Sequence, residues 1–177
     1  EAKRMRVHDL TVVVLDRPRH EELIGEIRQA GARIKLITDG DVAGALMAAT
    51  SGTGLDVLMG IGGAPEAVIC AAALKCIGGA IQCKLWPRND TERQTAEAAG
   101  LDMEQVLTAD DLVKSDNVFF AATGITDGEL LEGVHYTPDG ATTESLVMRS
   151  RSGTIRRIQA VHRPNKLREL AAIPFDE

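Results

Sequence analysis

Residues Leu10 to Leu15 (LTVVVL) form an unbroken apolar run rich in β-branched side chains, the pattern of a parallel strand covered on both faces. Asp16-Arg17-Pro18-Arg19 ends it. Pro18 fits a first helical turn, Glu21 and Glu22 suit the positive end of the helix dipole, and Leu23, Ile24 and Ile27 supply an apolar stripe as far as Gly31. The pattern predicts a helix over Pro18 to Ala30. Arg33 to Thr38 reads as a second strand, Asp39-Gly40-Asp41 as its turn, and Val42 to Ala49 as a helix capped by Asp39 or Asp41. Leu55 to Ile61 reads as a third strand. Gly62-Gly63-Ala64-Pro65-Glu66 then leads into a small-residue apolar helix, Ala67 to Ile77, closed by Gly78-Gly79.

Further along, Ala80 to Leu85 reads as a fourth strand ended by Trp86-Pro87. It precedes a polar stretch with helices near Thr91 to Ala99 and Met103 to Val106, and a capping-box signal at Thr108-Ala109-Asp110-Asp111. Asn117 to Ala122 predicts a fifth strand with Thr123 to Gly128 (TGITDG) as its exit loop. The tail changes character: Val134 to Tyr136, Thr142 to Arg149 and Thr154 to Val161, separated by turns at Pro138-Asp139-Gly140 and Gly153, read as antiparallel strands. The expected class is α/β: a mostly parallel or mixed sheet flanked by helices, with antiparallel edge strands, in one domain over residues 1–177.

Composition narrows the partners. Twenty Lys+Arg against 26 Asp+Glu give a net charge of −6, and aromatics make up 3%, which argues against nucleic acid held by phosphate neutralisation or base stacking. No apolar run approaches the roughly 18 residues of a membrane helix, so no membrane partner is expected. Cys70, Cys76 and Cys83 are an odd number without CxxC spacing or a companion His, which reads as reduced core thiols in a cytoplasmic protein. The chain opens without Met and enters a strand almost at once, which suggests a processed protein or a piece of a longer one.

In open α/β sheets ligands bind at the carboxyl ends of strands, where helix N-termini favour anions. Four exits carry unusual residues. Arg17 and Arg19 flank Pro18, either as rigid donor forks for a phosphate or as solvated partners of Asp16 and Glu21, while His20 reads as an ordinary helix-start residue. Asp39 and Asp41 across Gly40 suit sugar hydroxyls or a cation, and helix capping explains them nearly as well. At the third exit the glycines let a ligand approach the backbone, and Glu66 either ligates a divalent metal or complements the helix dipole. Gly60-Ile61-Gly62-Gly63 lacks the third glycine and the later acid of a dinucleotide fingerprint, and no Walker lysine motif occurs. In TGITDG, Thr123, Thr126 and Asp127 either touch ligand or, the preferred reading, form an Asx-type turn, and Thr142, Thr143, Arg149 and Arg151 either supply polar contacts or, as the two arginines read, lie on strand surface.

Together, VVVLDRPRHEELIGEIRQAGARIKLITDGDVAGA, LMGIGGAPEAVICAAALKCIGGAIQ, FFAATGITDGELLEGV and TTESLVMRSRSGTIR resemble, in order, the carboxyl-terminal half of class II fructose-1,6-bisphosphatases, the bacterial type, some of whose relatives also take sedoheptulose 1,7-bisphosphate. The resemblance implies half of an inositol-monophosphatase-like sugar phosphatase fold and a cytoplasmic, gluconeogenic hydrolase that converts fructose 1,6-bisphosphate to fructose 6-phosphate. It implies Mg²⁺ or Mn²⁺ as cofactor, orienting the scissile 1-phosphate and activating water. Glu66 would be a metal ligand; Arg17, Pro18 and Arg19 would border substrate; Asp39, Gly40 and Asp41 would hold its sugar or distal phosphate; Gly63 would give a backbone contact. The full-length protein would be a homo-oligomer.

The amino-terminal half of such enzymes, with its clustered acidic ligands and Asp-Pro-Ile-Asp-Gly-Thr type motif, has no counterpart in the sequence. One carboxylate does not build a two-metal clamp, so the chain alone is expected to be inactive and to need the missing amino-terminal half as partner. The alternatives are a non-catalytic sugar-phosphate binding or assembly module and, more weakly, a nucleotide-binding domain.

Overall fold

The computed structural model describes residues 4–163 and Lys166. Strands β1 (Thr11–Leu15), β2 (Arg33–Ile37) and β3 (Val57–Leu58) form a parallel sheet in the order β2-β1-β3. The valine run explains the central place of β1: Val13 and Val14 are fully buried, each contributing roughly 1.5–3 kcal/mol of burial. The β1–β2 register pairs Val12 with Ile34 and Val14 with Leu36.

Helix α1 (Glu21–Gln29), preceded by a single 3₁₀ turn at Pro18–His20, covers one face of this sheet, packing Ile24 and Ile27 on Val12 and Val14. Helix α2 (Asp41–Ala49) lies on the other, where Met47 and Leu55 enclose Val13. Its cap corrects the expectation of Asp39 or Asp41. The N-cap is Gly40, at φ 92°, a left-handed conformation that glycine adopts without strain, and Asp39 accepts a hydrogen bond from the Gly40 N–H instead.

Helix α3 (Ala64–Ile77) packs against α2 and, on its far side, against a second sheet. That sheet holds β6 (Phe119–Thr123), β7 (His135–Thr137), β8 (Gly140–Arg149) and β9 (Thr154–His162), all antiparallel to β8. The shared core gathers Leu46 from α2, Ala73 and Cys76 from α3, and Phe120, Leu146 and Met148 from the sheet. The small side chains of α3 permit this double packing. The layers therefore run α1, parallel sheet, α2 with α3, antiparallel sheet.

The expected single sheet with antiparallel edges thus divides. The fifth predicted strand opens the antiparallel sheet, and β4 (Gln82–Cys83) pairs with β5 (Leu107–Thr108) in a separate two-stranded ribbon. Met103 to Val106 forms a turn and extended backbone where a helix was expected, with Asp102 closing the turn onto the Glu104 N–H. Helix α4 (Asp90–Ala98) carries an Asn89 cap, and α5 (Ala109–Leu112) has the predicted capping box between Thr108 and Asp111. Among the described residues no helix is long and apolar enough to cross a membrane.

Candidate functional site at the carboxyl rim of the parallel sheet

Parallel pairing places the ends of β1, β2 and β3 on one edge, so the first three exits meet there although up to 50 residues separate them (66 − 16). The Gly60–Gly63 loop is their meeting point. Arg19 Nε donates to the Ile61 carbonyl at 2.9 Å, bringing the first exit onto the third. Asp41, in the first turn of α2, comes from the second: its Oδ2 stands 3.0 Å from where a Cβ on Gly62 would be. Glu66, in the first turn of α3, folds back over Gly63, where an added Cβ would lie 2.1 Å from Glu66 Oε2. Only glycine leaves room for that carboxylate.

Arg19, Asp39, Gly63 and Glu66 are exposed on this rim, and Gly40 and Asp41 half-buried. Pro18 starts the 3₁₀ turn that aims Arg19, while Arg17 turns aside to the Asp16 carbonyl at 3.3 Å. The structure therefore brings together Arg19, Asp41, Gly63 and Glu66, with Asp39 and Gly40 adjoining and Arg17 at the margin.

Asp41 Oδ1 is buried and accepts no hydrogen bond from the described residues. Leaving such an acceptor unmet costs roughly 1–3 kcal/mol, which a ligand hydroxyl or cation would offset. Buried Cys70, four residues beyond Glu66 on α3, has its thiol pushed up to about 11, first by burial and then by the negative charges of Asp41 and Glu66. The raised value makes the thiol a poor nucleophile at neutral pH.

The hard oxygen donors Asp41 and Glu66 suit Mg²⁺ or Mn²⁺ in kind. Among the described residues, however, no group of three or more His, Cys, Asp or Glu is placed to hold a metal. The fit is that of one side of a metal site.

Sequence reasoning missed His20. It is 1% exposed, with Nδ1 2.8 Å from the Leu15 carbonyl and Nε2 accepting from the Ile61 N–H at 2.9 Å. An imidazole at a helix start carries no local sign of a partner 41 residues away. The fourth exit is a structural knot: Asp127 Oδ1 accepts from the Gly133 N–H and from His135 Nε2, both at 2.8 Å, and Gly124 packs on the Glu132 backbone. In the tail, Arg149 stacks on Phe119 at 4.7 Å, whereas Arg151 lies in the turn beyond β8.

Cationic, acidic and glycine residues thus gather at parallel-strand exits, the place where open α/β sheets commonly receive ligands. The model of one family, described as bacterial fructose-1,6-bisphosphatase, glpX-encoded, matches residues 1–162, and the chain belongs to that family. Among curated relatives it is 48% identical to a protein of Synechococcus sp. (strain JA-3-3Ab) named D-fructose 1,6-bisphosphatase class 2/sedoheptulose 1,7-bisphosphatase, over 88% of this chain and 49% of that protein. Proteins of the same name from Synechococcus sp. (strain JA-2-3B'a(2-13)) and Trichodesmium erythraeum (strain IMS101) are 47% and 46% identical, with the same coverage. The chain spans about half the length of the curated relatives it matches.

Proposed function

We propose that this chain is the substrate-binding half of a metal-dependent fructose-1,6-bisphosphatase that hydrolyses the 1-phosphate to give fructose 6-phosphate. The observation that carries the reading is the crowding of Arg19, Asp41 and Glu66 around one glycine loop in a chain of this family. Arg19, whose Nε is engaged by Ile61, presents its remaining guanidinium N–H groups to a phosphate, with Arg17 beside it. Asp39 and Asp41 accept sugar hydroxyls, the buried Oδ1 of Asp41 being the acceptor most in need of one. The exposed Gly63 backbone lets the sugar phosphate approach closely.

Glu66 would be one ligand of the metal. When bound, Mg²⁺ or Mn²⁺ supplies charge neutralisation at the scissile phosphate and lowers the pKa of the attacking water. The remaining ligands would come from the other half, and this chain alone would be inactive. We place the complete enzyme in the inositol-monophosphatase-like fold and in gluconeogenesis. Sedoheptulose 1,7-bisphosphate, named for the relatives, is a second candidate substrate.

The test is phosphate release from fructose 1,6-bisphosphate with Mn²⁺ by the full-length protein containing this chain, by its Glu66→Gln variant and by the chain alone. Release by the first and by neither of the others is expected. Full activity in Glu66→Gln would refute the role of Glu66, and activity of the chain alone would refute its inactivity.

A further inference from the structure

Ile61 is gripped at both of its backbone polar groups, in two successive peptide units, by consecutive residues of another exit. Its N–H donates to His20 Nε2 at 2.9 Å, and its carbonyl accepts from Arg19 Nε at 2.9 Å. A carbonyl accepts and an amide donates, so the neutral His20 ring must carry its proton on Nδ1, toward Leu15 O at 2.8 Å, and offer Nε2 as a lone pair. Nε2 also lies 3.3 Å from the Ile61 carbonyl, but in this tautomer it has no proton to give there. The ring packs against Gly60, where an added Cβ would stand 3.1 Å from His20 Cε1. His20 is the one buried polar or charged residue among those described, and it ties the end of β1 to the loop that carries Gly62 and Gly63.

We infer that His20 is a positioning residue of the sugar-phosphate site, holding the Gly60–Gly63 loop in register with Arg19 through a fixed Nδ1–H tautomer. The inference rests on the sugar-phosphate reading of this rim. Arg19 alone fixes only the Ile61–Gly62 peptide, through its carbonyl, and leaves the preceding Gly60–Ile61 peptide free to rotate about the Ile61 dihedrals. With His20 in place both peptide planes flanking Ile61 are set, and with them the distance between the Arg19 fork and the Gly63 backbone. His20 grips the loop at Gly60 and Ile61, ahead of the α3 N-cap at Gly63, whereas Glu66 stands on α3 itself, so binding of the bisphosphate depends on His20 more than the chemical step does.

Two variants in the full-length protein containing this chain separate this role from mere folding. His20→Asn keeps a donor where Nδ1 stands and removes the acceptor for the Ile61 N–H, whereas His20→Gln reaches further and returns an amide oxygen to that N–H. The expected result for His20→Asn is a rise of about tenfold or more in KM, and in the calorimetric Kd for fructose 1,6-bisphosphate, with kcat nearly unchanged. His20→Gln should recover most of the affinity. Nitrogen-15 correlation spectra of the wild-type imidazole should show the proton on Nδ1.

A proton on Nε2, or Asn and Gln variants that bind within about twofold of wild type, would overturn the inference. Equal losses in both variants that track their unfolded fraction would do the same, since only support of the fold would then remain. If the wild type binds bisphosphate without releasing phosphate, the phosphatase reading fails while the affinities still decide the role of His20. A wild type that binds no bisphosphate overturns both.

Discussion

Glu66 Oε2 occupies the space above Gly63 so closely that a methyl group there would stand 2.1 Å from it. The carboxylate is the movable partner, so Gly63→Ala displaces Glu66 rather than the backbone. Gly63 has an ordinary φ of −74°, and the loss to stability should be about 1 kcal/mol from the poorer N-cap. Activity of the full-length protein should fall on the order of a hundredfold, because a misplacement of about 1 Å costs that much at a reacting centre. Melting curves and phosphate release, measured on the same variant, check the split.

Cys70 offers a reading of the charge at the rim. Its thiol is raised from 9.0 to about 11, so between those values unfolded chains release the proton and folded chains keep it. The resulting stability is fully present below pH 9.0 and is lost as pH climbs toward about 11, by at most about 3 kcal/mol. Asp41→Asn or Glu66→Gln should lower the thiol pKa and narrow that window. The pH dependence of iodoacetamide labelling gives the value in each variant.

Asp127 predicts the acid limb. The Gly133 N–H and then His135 hold its carboxyl below the ordinary 3.8, so its contribution is present above that pH and lost as pH falls below it. Asp127→Asn keeps an oxygen for Gly133 and removes the charge. Its acid unfolding curve, followed by circular dichroism, should therefore be flatter than that of the wild type.

Leu46 tests the joint between the layers. It is 2% exposed and packs with Ala73, Phe120 and Met148, side chains from α3 and the second sheet. Leu46→Ala should cost about 2–5 kcal/mol, measured by denaturant titration, and should loosen α3 against the antiparallel strands.

Local signals carried well from sequence to structure. The valine run became the central strand, and the Pro65 and Gly78 signals bracket α3. Pairing was less legible, because it depends on partners far along the chain. Leu55 to Ile61 contracts to Val57–Leu58, since Met59 makes the last backbone bond to β1 before the glycines turn the chain away. Gln82–Cys83 finds its partner in Leu107–Thr108, and no alternation within either segment announces this.

The site divides in the same manner. Arg19, Asp41 and Glu66 were visible as charged residues at strand exits, because parallel topology sends such exits to one edge. His20 was not, because its role lies in a tautomer set by Leu15 and Ile61. The knot at Asp127 closes over six residues onto Gly133, a longer reach than the local Asx turn the sequence suggested.

Helix α3 has its middle, at Ala71, Ala73 and Leu74, sealed from solvent, with α2 on one flank and the antiparallel strands on the other. Amides there should be among the slowest in the molecule to exchange for deuterium, while the arginine-bearing turn at Pro18–His20, a single 3₁₀ turn, is held by the bonds of Arg19 and His20 to Ile61 and of His20 to Leu15. Warming should thus unseat the cationic arm first and leave the Glu66 carboxylate in its station, so that thermal inactivation begins as a loss of grip on the anion and only later as collapse of the scaffold.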